Sequence, residues 1–209
     1  MNKYNKTYKM IYMGLLVSMA LALSLIERML PIPFIVPGAK LGLANLIIVI
    51  SVYTLNSYKD SFIILILRIT LASTLGGSLS SLLYSISGGI LSFIATILVK
   101  NLGEKHVSII GVSTSAAVFH NVGQLFAASI IFKNINIFLY LPLLSLSGIG
   151  TGIFIGISAN YILNHFYKTS YFKEKLNLNK INAYKKPSKL DDFFIILNYL
   201  LLVSYIKLD

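Results

Sequence analysis

With 56% hydrophobic and only 12% charged side chains in 209 residues, and a mean hydropathy of +0.78, the chain is too apolar for a soluble domain. The net charge of +11 does not indicate a nucleic-acid partner, because the lysines and arginines gather at the ends of apolar stretches and in the C-terminal tail, where they suit membrane orientation and anionic lipid. The lack of cysteine excludes disulfides, thiolate metal sites and cysteine nucleophiles, and is compatible with a bacterial inner (cell) membrane.

A hydrocarbon core of about 30 Å is crossed by a helix of about 20 apolar residues. The sequence predicts an all-α membrane protein, a six-helix transmembrane bundle over 10–165, preceded by a cytoplasmic segment 1–9 and followed by a lysine-rich tail 166–209. The first span, 10–30, follows Lys3, Lys6 and Lys9 as a signal peptide would, but it is too long for a typical signal core and has no small-residue cleavage site before Glu27-Arg28. It is expected to be retained. Gly14, Ser18 and Ala22 recur every four residues and line one face, where another helix can approach closely. Two readings stand: packing within the chain, or a docking face for a separate membrane subunit.

Pro31, Pro33 and Pro37 then prevent helix continuation and predict an extended, semi-rigid loop over 31–38. The second span, 39–56, is expected to begin at this loop with Lys40 in its first turn and Asn45 in its outer part; a helix N-terminus and a lysine both favour an anion. In the third span, 60–77, Arg68 sits near the bilayer midplane, where a charge costs about 2.5–3.5 kcal/mol and must face a cavity or a partner. Glu27 is the carboxylate expected nearby, and Arg28 beside it can snorkel to the surface.

A fourth span, 79–99, precedes the fifth, 107–132, whose middle carries Phe119-His120-Asn121-Val122-Gly123-Gln124. His120 and Gln124 are one helical turn apart and Asn121 and Gln124 nearly so, which predicts that three hydrogen-bonding groups converge on one sector with Gly123 opening space beside them. Interhelical bonding, at about 0.6–2 kcal/mol per contact, is the plainer alternative to a binding pocket. The sixth span covers 136–163. In the tail, the apolar run from Phe193 to Ile206 would reach only about 21 Å as a helix, so it is expected to lie at the interface. Lysine distribution favours both termini inside, which puts the proline loop outside.

Catalytic schemes find little support. His106, His120 and His165 lie in different segments without metal-ligand spacing, and no P-loop or GxGxxG occurs. Neither a metal nor a cofactor is expected. Condensing prenyl diphosphates needs magnesium on aspartate-rich DDxxD motifs; here Asp191-Asp192 is followed by Phe193-Phe194-Ile195.

Pro-Gly-Ala-Lys-Leu-Gly-Leu-Ala-Asn at residues 37 to 45 and His-Asn-Val-Gly-Gln at 120 to 124 resemble the bacterial Gx transporter family, which also carries the description heptaprenyl diphosphate synthase component I. The likeness covers roughly residues 10 to 165. That family in turn is similar to the six-helix substrate-binding S components of energy-coupling-factor transporters. The resemblance implies a substrate-capture subunit for a small polar or anionic molecule, with Glu27, Lys40, Asn45, Arg68, His120, Asn121 and Gln124 as binding residues and 31–38 as a lid. Gly14, Ser18 and Ala22 would dock a coupling protein that works with separate ATPases. The family's other description implies a second role, a non-catalytic membrane component beside a soluble prenyl diphosphate synthase subunit. Membrane lipid is a partner under either reading.

Overall fold

The computed structural model describes residues 3–29, 42–75, 78–103 and 106–168, with side chains described from Thr7 to Phe166. Every regular element among them is helical: α1 (Lys3–Met29), α2 (Asn45–Thr54), α3 (Tyr58–Thr74), α4 (Leu79–Asn101), α5 (Ile109–Ile131) and α6 (Leu141–Lys168), the last entered through a 3₁₀ segment, Ile135–Tyr140. Pro142 falls in the first turn of α6, where a missing N–H costs nothing because no carbonyl precedes it in the helix. The proline loop, Lys40, Gly76-Gly77 and the tail with its Phe193–Ile206 run lie outside the described residues.

Three helical stretches, Thr7–Met29, Leu79–Asn101 and Ile135–Phe166, are long and apolar enough to cross a membrane. Large apolar side chains point outward on every long helix, among them Leu15, Leu67, Leu98, Phe126 and Phe154. Inside are Ser51, Arg68, Thr96, His120 and Gln124, all buried. A surface of this kind is stable only where the solvent is itself apolar.

The second span departs from expectation. The helix begins only at Asn45; residues 42–44 form a turn, and Gly42 sits at φ +84°, a left-handed conformation that suits glycine. A continuous apolar run hid this break. The resulting α2 has ten residues, about 15 Å of rise, and nine of them are buried. It contacts all five other helices and forms the axis of the bundle, packing Ile47, Ile50 and Val52 against Leu16, Leu65, Val112 and Leu163. A helix buried all round needs no polar face, and α2 has none.

The C-terminal end of α2 is held by polar contacts. Lys100 of α4 donates to the Val52 carbonyl at 2.5 Å and lies over the Tyr53 and Tyr58 rings at 4.6 and 5.4 Å from their centroids. A cation at a helix C-terminus satisfies an orphan carbonyl and opposes the negative end of the dipole. Tyr12 donates to Thr54 and Tyr58 to Asn101, while Lys9 pairs with Asp60 at 2.6 Å.

Close backbone approach joins α4, α5 and α6. On α6, Gly148, Gly152 and Gly156 face α5, and a Cβ on Gly152 would stand 2.5 Å from the Thr114 Cα. A Cβ on Gly123 of α5 would meet the Ser87 carbonyl oxygen at 2.5 Å and the Gly88 Cα at 2.7 Å. Small residues thus replace side-chain interdigitation with backbone contact, a common solution where no hydrophobic effect drives helices together.

Candidate functional site

The site is assembled where α2 begins. The buried face of α1 runs through Tyr12, Leu16, Ala20, Ser24 and Glu27, at helical spacing. Glu27 is therefore carried inward, where its Oε1 accepts the Gly42 N–H at 2.5 Å. Arg28, the next residue, is only partly buried and points away from Glu27: it donates to the Ala72 and Leu75 carbonyls and so closes the C-terminus of α3. One residue of α1 orders the turn before α2 and its neighbour caps a different helix.

Arg68 of α3 is 95% buried, and Glu27 is the charge that acts on its guanidinium. Its Nε and Nη2 have no hydrogen-bond partner. Beside it, α4 presents Gly89, whose Cβ would lie 3.8 Å from Nη2. Asn45, the first residue of α2, is 97% buried with Nδ2 also lacking a partner. Buried donors in this state carry a desolvation cost that a ligand acceptor can relieve.

Gly42 is the junction. A Cβ there would stand 2.8 Å from Asn45 Nδ2 and 3.1 Å from His120 Cδ2, so the turn brings α2 and α5 together around an α-carbon that cannot carry a side chain. His120 lies against Gly88 of α4 on its other side, 2.9 Å from where a Cβ would be. The Gln124 amide nitrogen is 2.7 Å from His120 Nε2, which joins the two side chains one helical turn apart.

Of the three polar groups expected on one sector of α5, His120 and Gln124 come together, while Asn121 turns to α6. Its Nδ2 donates to the Leu144 carbonyl at 2.6 Å and lies against Gly148. The α1 positions Gly14, Ser18 and Ala22 are exposed; a Cβ on Gly14 would meet nothing within 4 Å, and Ser18 bonds back to the Gly14 carbonyl at 3.0 Å. The described helix α2 begins at Asn45, after the turn at 42–44, and Lys40 lies outside the described residues.

Gly42, Gly88 and Gly89 were not singled out by sequence reading. The signal available was a Gly-Gly pair in mid-span and a glycine within an apolar run, both of which mark close backbone approach. Gly42 and Gly103 allow this to be measured, since both have positive φ, +84° and +96°, but the Gly103 Cβ would have only His106 Nδ1 near it, at 3.9 Å. Alanine at Gly103 is expected to cost about 1–2 kcal/mol for the left-handed backbone alone. Gly42→Ala is expected to cost about 1–3 kcal/mol more, from crowding Asn45 and His120. Unfolding of both variants in detergent micelles would read the difference, and equal losses would mean the crowding is relieved without cost.

The arrangement is suited to binding. It offers donors from a guanidinium and an amide, a carboxylate already engaged by backbone, and an imidazole-amide pair, around the turn that leads into a helix buried inside the bundle. Non-helical backbone at membrane depth is tolerated where protein covers it or where it lines a cavity. Among the described residues, no three His, Asp or Glu side chains gather as a metal site would require.

The chain matches the family model described as heptaprenyl diphosphate synthase component I over residues 16–162. No match is found among curated proteins or among solved structures.

Proposed function

Taking as premise that the chain belongs to the heptaprenyl diphosphate synthase component I family, we propose that it is a membrane-embedded substrate-binding subunit for uptake of a small polar or anionic molecule. In this reading it is a six-span bundle of the bacterial cell membrane with both termini inside. The observation that carries the proposal is Arg68, a buried arginine whose Nε and Nη2 have no hydrogen-bond partner and on which Glu27 acts, the carboxylate that accepts from the Gly42 turn before α2. Intramembrane charge of this kind marks a ligand path more often than it stabilises a fold. Glu27, Asn45, His120 and Gln124 would complete the wall, with Lys40 above them and Asn121 fixing α5 against α6.

The open small-residue face of α1 supports docking of a separate membrane protein. Within this proposal that partner is a coupling protein driven by ATPases, since the sequence has no nucleotide motif of its own. Gly14→Leu and Ala22→Leu fill that face without touching the bundle, so stability should stay within about 0.5 kcal/mol. Gentle purification from native membranes should recover a coupling protein and ATPases with the unchanged chain and lose them with either variant. Retention by both variants would remove α1 as the docking face.

The family description favours a second reading, a non-catalytic membrane component that works with another prenyl diphosphate synthase subunit. Recovery of a soluble prenyl synthase in the same purification, with activity that depends on this chain, would select that reading over uptake.

A further inference from the structure

Arg68 is sealed as well as partnerless. Its side chain is 95% buried, and its Nε and Nη2 are closed off without an acceptor, so a ligand cannot meet them in the arrangement described. Donors stranded in this way raise the free energy of the closed state relative to one in which water or a ligand reaches them. For Arg68 to bind anything, one wall must give way.

Two sets of helices are held as units. Helices α1 and α3 run parallel and are tied at both ends: Lys9 pairs with Asp60 near their N-terminal ends, and Arg28 donates to the Ala72 and Leu75 carbonyls near their C-terminal ends. They form a strut. Helices α4, α5 and α6 are held instead by backbone against backbone, since a Cβ on Gly123 would stand 2.5 Å from the Ser87 carbonyl oxygen and one on Gly156 would stand 2.6 Å from the Ile110 Cα. They form a block.

Strut and block meet at Gly89 of α4. A Cβ there would first meet side-chain ends of α3, with Ile69 Cδ1 at 3.0 Å, Leu65 Cδ1 at 3.2 Å and Arg68 Nη2 at 3.8 Å. Side-chain ends can change rotamer where backbone cannot, so this seam can shear or part while the units on either side keep their shape. Arg68 lies on the seam.

We propose that the strut of α1 and α3 moves against the block of α4, α5 and α6 at Gly89, and that this motion is the gate through which a ligand reaches Arg68. The gate deepens the substrate-binding reading and rests on it, whereas the motion is measurable with no ligand present.

The chain has no cysteine and its arginines are Arg28 and Arg68, so thiol and arginine chemistry are both selective. In Ile69→Cys/Gly89→Cys the two cysteines face each other within reach of a disulfide, because the Ile69 Cβ lies two bonds behind the Cδ1 that is 3.0 Å from a Gly89 Cβ. The full-length variant in lipid nanodiscs, oxidised or reduced, is treated with phenylglyoxal, which modifies arginine, and the adducts are mapped by mass spectrometry. Arg68 should react in the reduced form and lose that reactivity in the oxidised form, while Arg28, only partly buried, reacts in both. Spin-labelled cysteine pairs at exposed positions report the motion without a lock. Leu67→Cys/Phe119→Cys, across the seam, should give two distance populations; Met19→Cys/Leu67→Cys within the strut and Phe119→Cys/Phe154→Cys within the block should give one each.

Equal modification of Arg68 in the two redox states, or none in either, would overturn the gate, and so would a single distance across the seam. Two populations for the pair within the strut would show that α1 and α3 do not move together. Failure of the disulfide to form on mild oxidation would remove the α3–α4 contact on which the seam is built. Native mass spectrometry of the same variant, equilibrated with the small-molecule extract of the cells that make it, tests the reading beneath: a bound species should be present after reduction and absent after oxidation. If Arg68 becomes reactive on reduction and nothing is bound in either state, the motion stands and the substrate-binding reading falls.

Discussion

Arg68→Ala should destabilise the bundle by about 3–5 kcal/mol and abolish capture of the ligand. Removing the buried guanidinium takes away a charge that Glu27 acts on, and repacking of the space it filled adds to the loss. Glu27 keeps the Gly42 N–H as a donor in this variant. The sign of the second substitution follows: Glu27→Gln in the Arg68→Ala background should recover much of the stability, since the amide still accepts from Gly42 without carrying charge. It should not restore binding, because the partnerless Nε and Nη2 donors of Arg68 are gone. Denaturant unfolding in mixed micelles for the two single variants and the double variant closes the cycle. A double variant that is as unstable as the sum of the singles would show that Glu27 and Arg68 do not depend on each other.

Gly123→Leu should cost about 3 kcal/mol or more, because the added Cβ meets backbone and cannot be accommodated by a rotamer change. The atoms in the way are the Ser87 carbonyl oxygen at 2.5 Å and the Gly88 Cα at 2.7 Å, so α4 and α5 must separate. Gly88 is also the surface against which His120 rests, and the separation should loosen the His120–Gln124 pair and weaken ligand capture along with stability. Gly150→Leu is the matched control: nothing lies within 4 Å of its Cβ, and its effect should stay within about 0.5 kcal/mol. Thermal melting of both variants in one detergent reads the contrast, and similar melting temperatures would show that α4 and α5 are not held at the spacing described.

Much of the site was legible because solvation inside an apolar run is scarce. Glu27, Asn45, Arg68, His120 and Gln124 each stood out as polar groups in stretches that could not hydrate them, and all five are buried. What could not be read was direction. His120 and Asn121 are adjacent and so point about 100° apart on a helix, and which neighbouring helix fills each sector is a tertiary fact. Asn121 met a carbonyl of α6.

The small-residue patterns show the same limit. Gly14-Ser18-Ala22 and Gly148-Gly152-Gly156 have identical spacing, yet the first is open and the second is pressed against Thr114 and Ile110 of α5. Spacing shows that a helix can be approached closely and says nothing of what approaches. The break before α2 was hidden for a third reason, since hydropathy measures transfer of side chains and is indifferent to whether the backbone beneath them is helix or turn.

The shortness of α2 bears on the order in which this protein is made. The ten helical residues of α2, about 15 Å, are too few to cover a bilayer by themselves, so this segment depends on its neighbours for a settled position. Of its walls only α1 is made before it; α3 through α6 arrive later, and the last of them carries Ala159 and Leu163 near the end of the described chain. The axis of the bundle is therefore among the first segments synthesised and among the last to be buried. The Gly42 turn and Asn45 lie against His120 of α5, so the start of α2 is covered only once that later helix is in place.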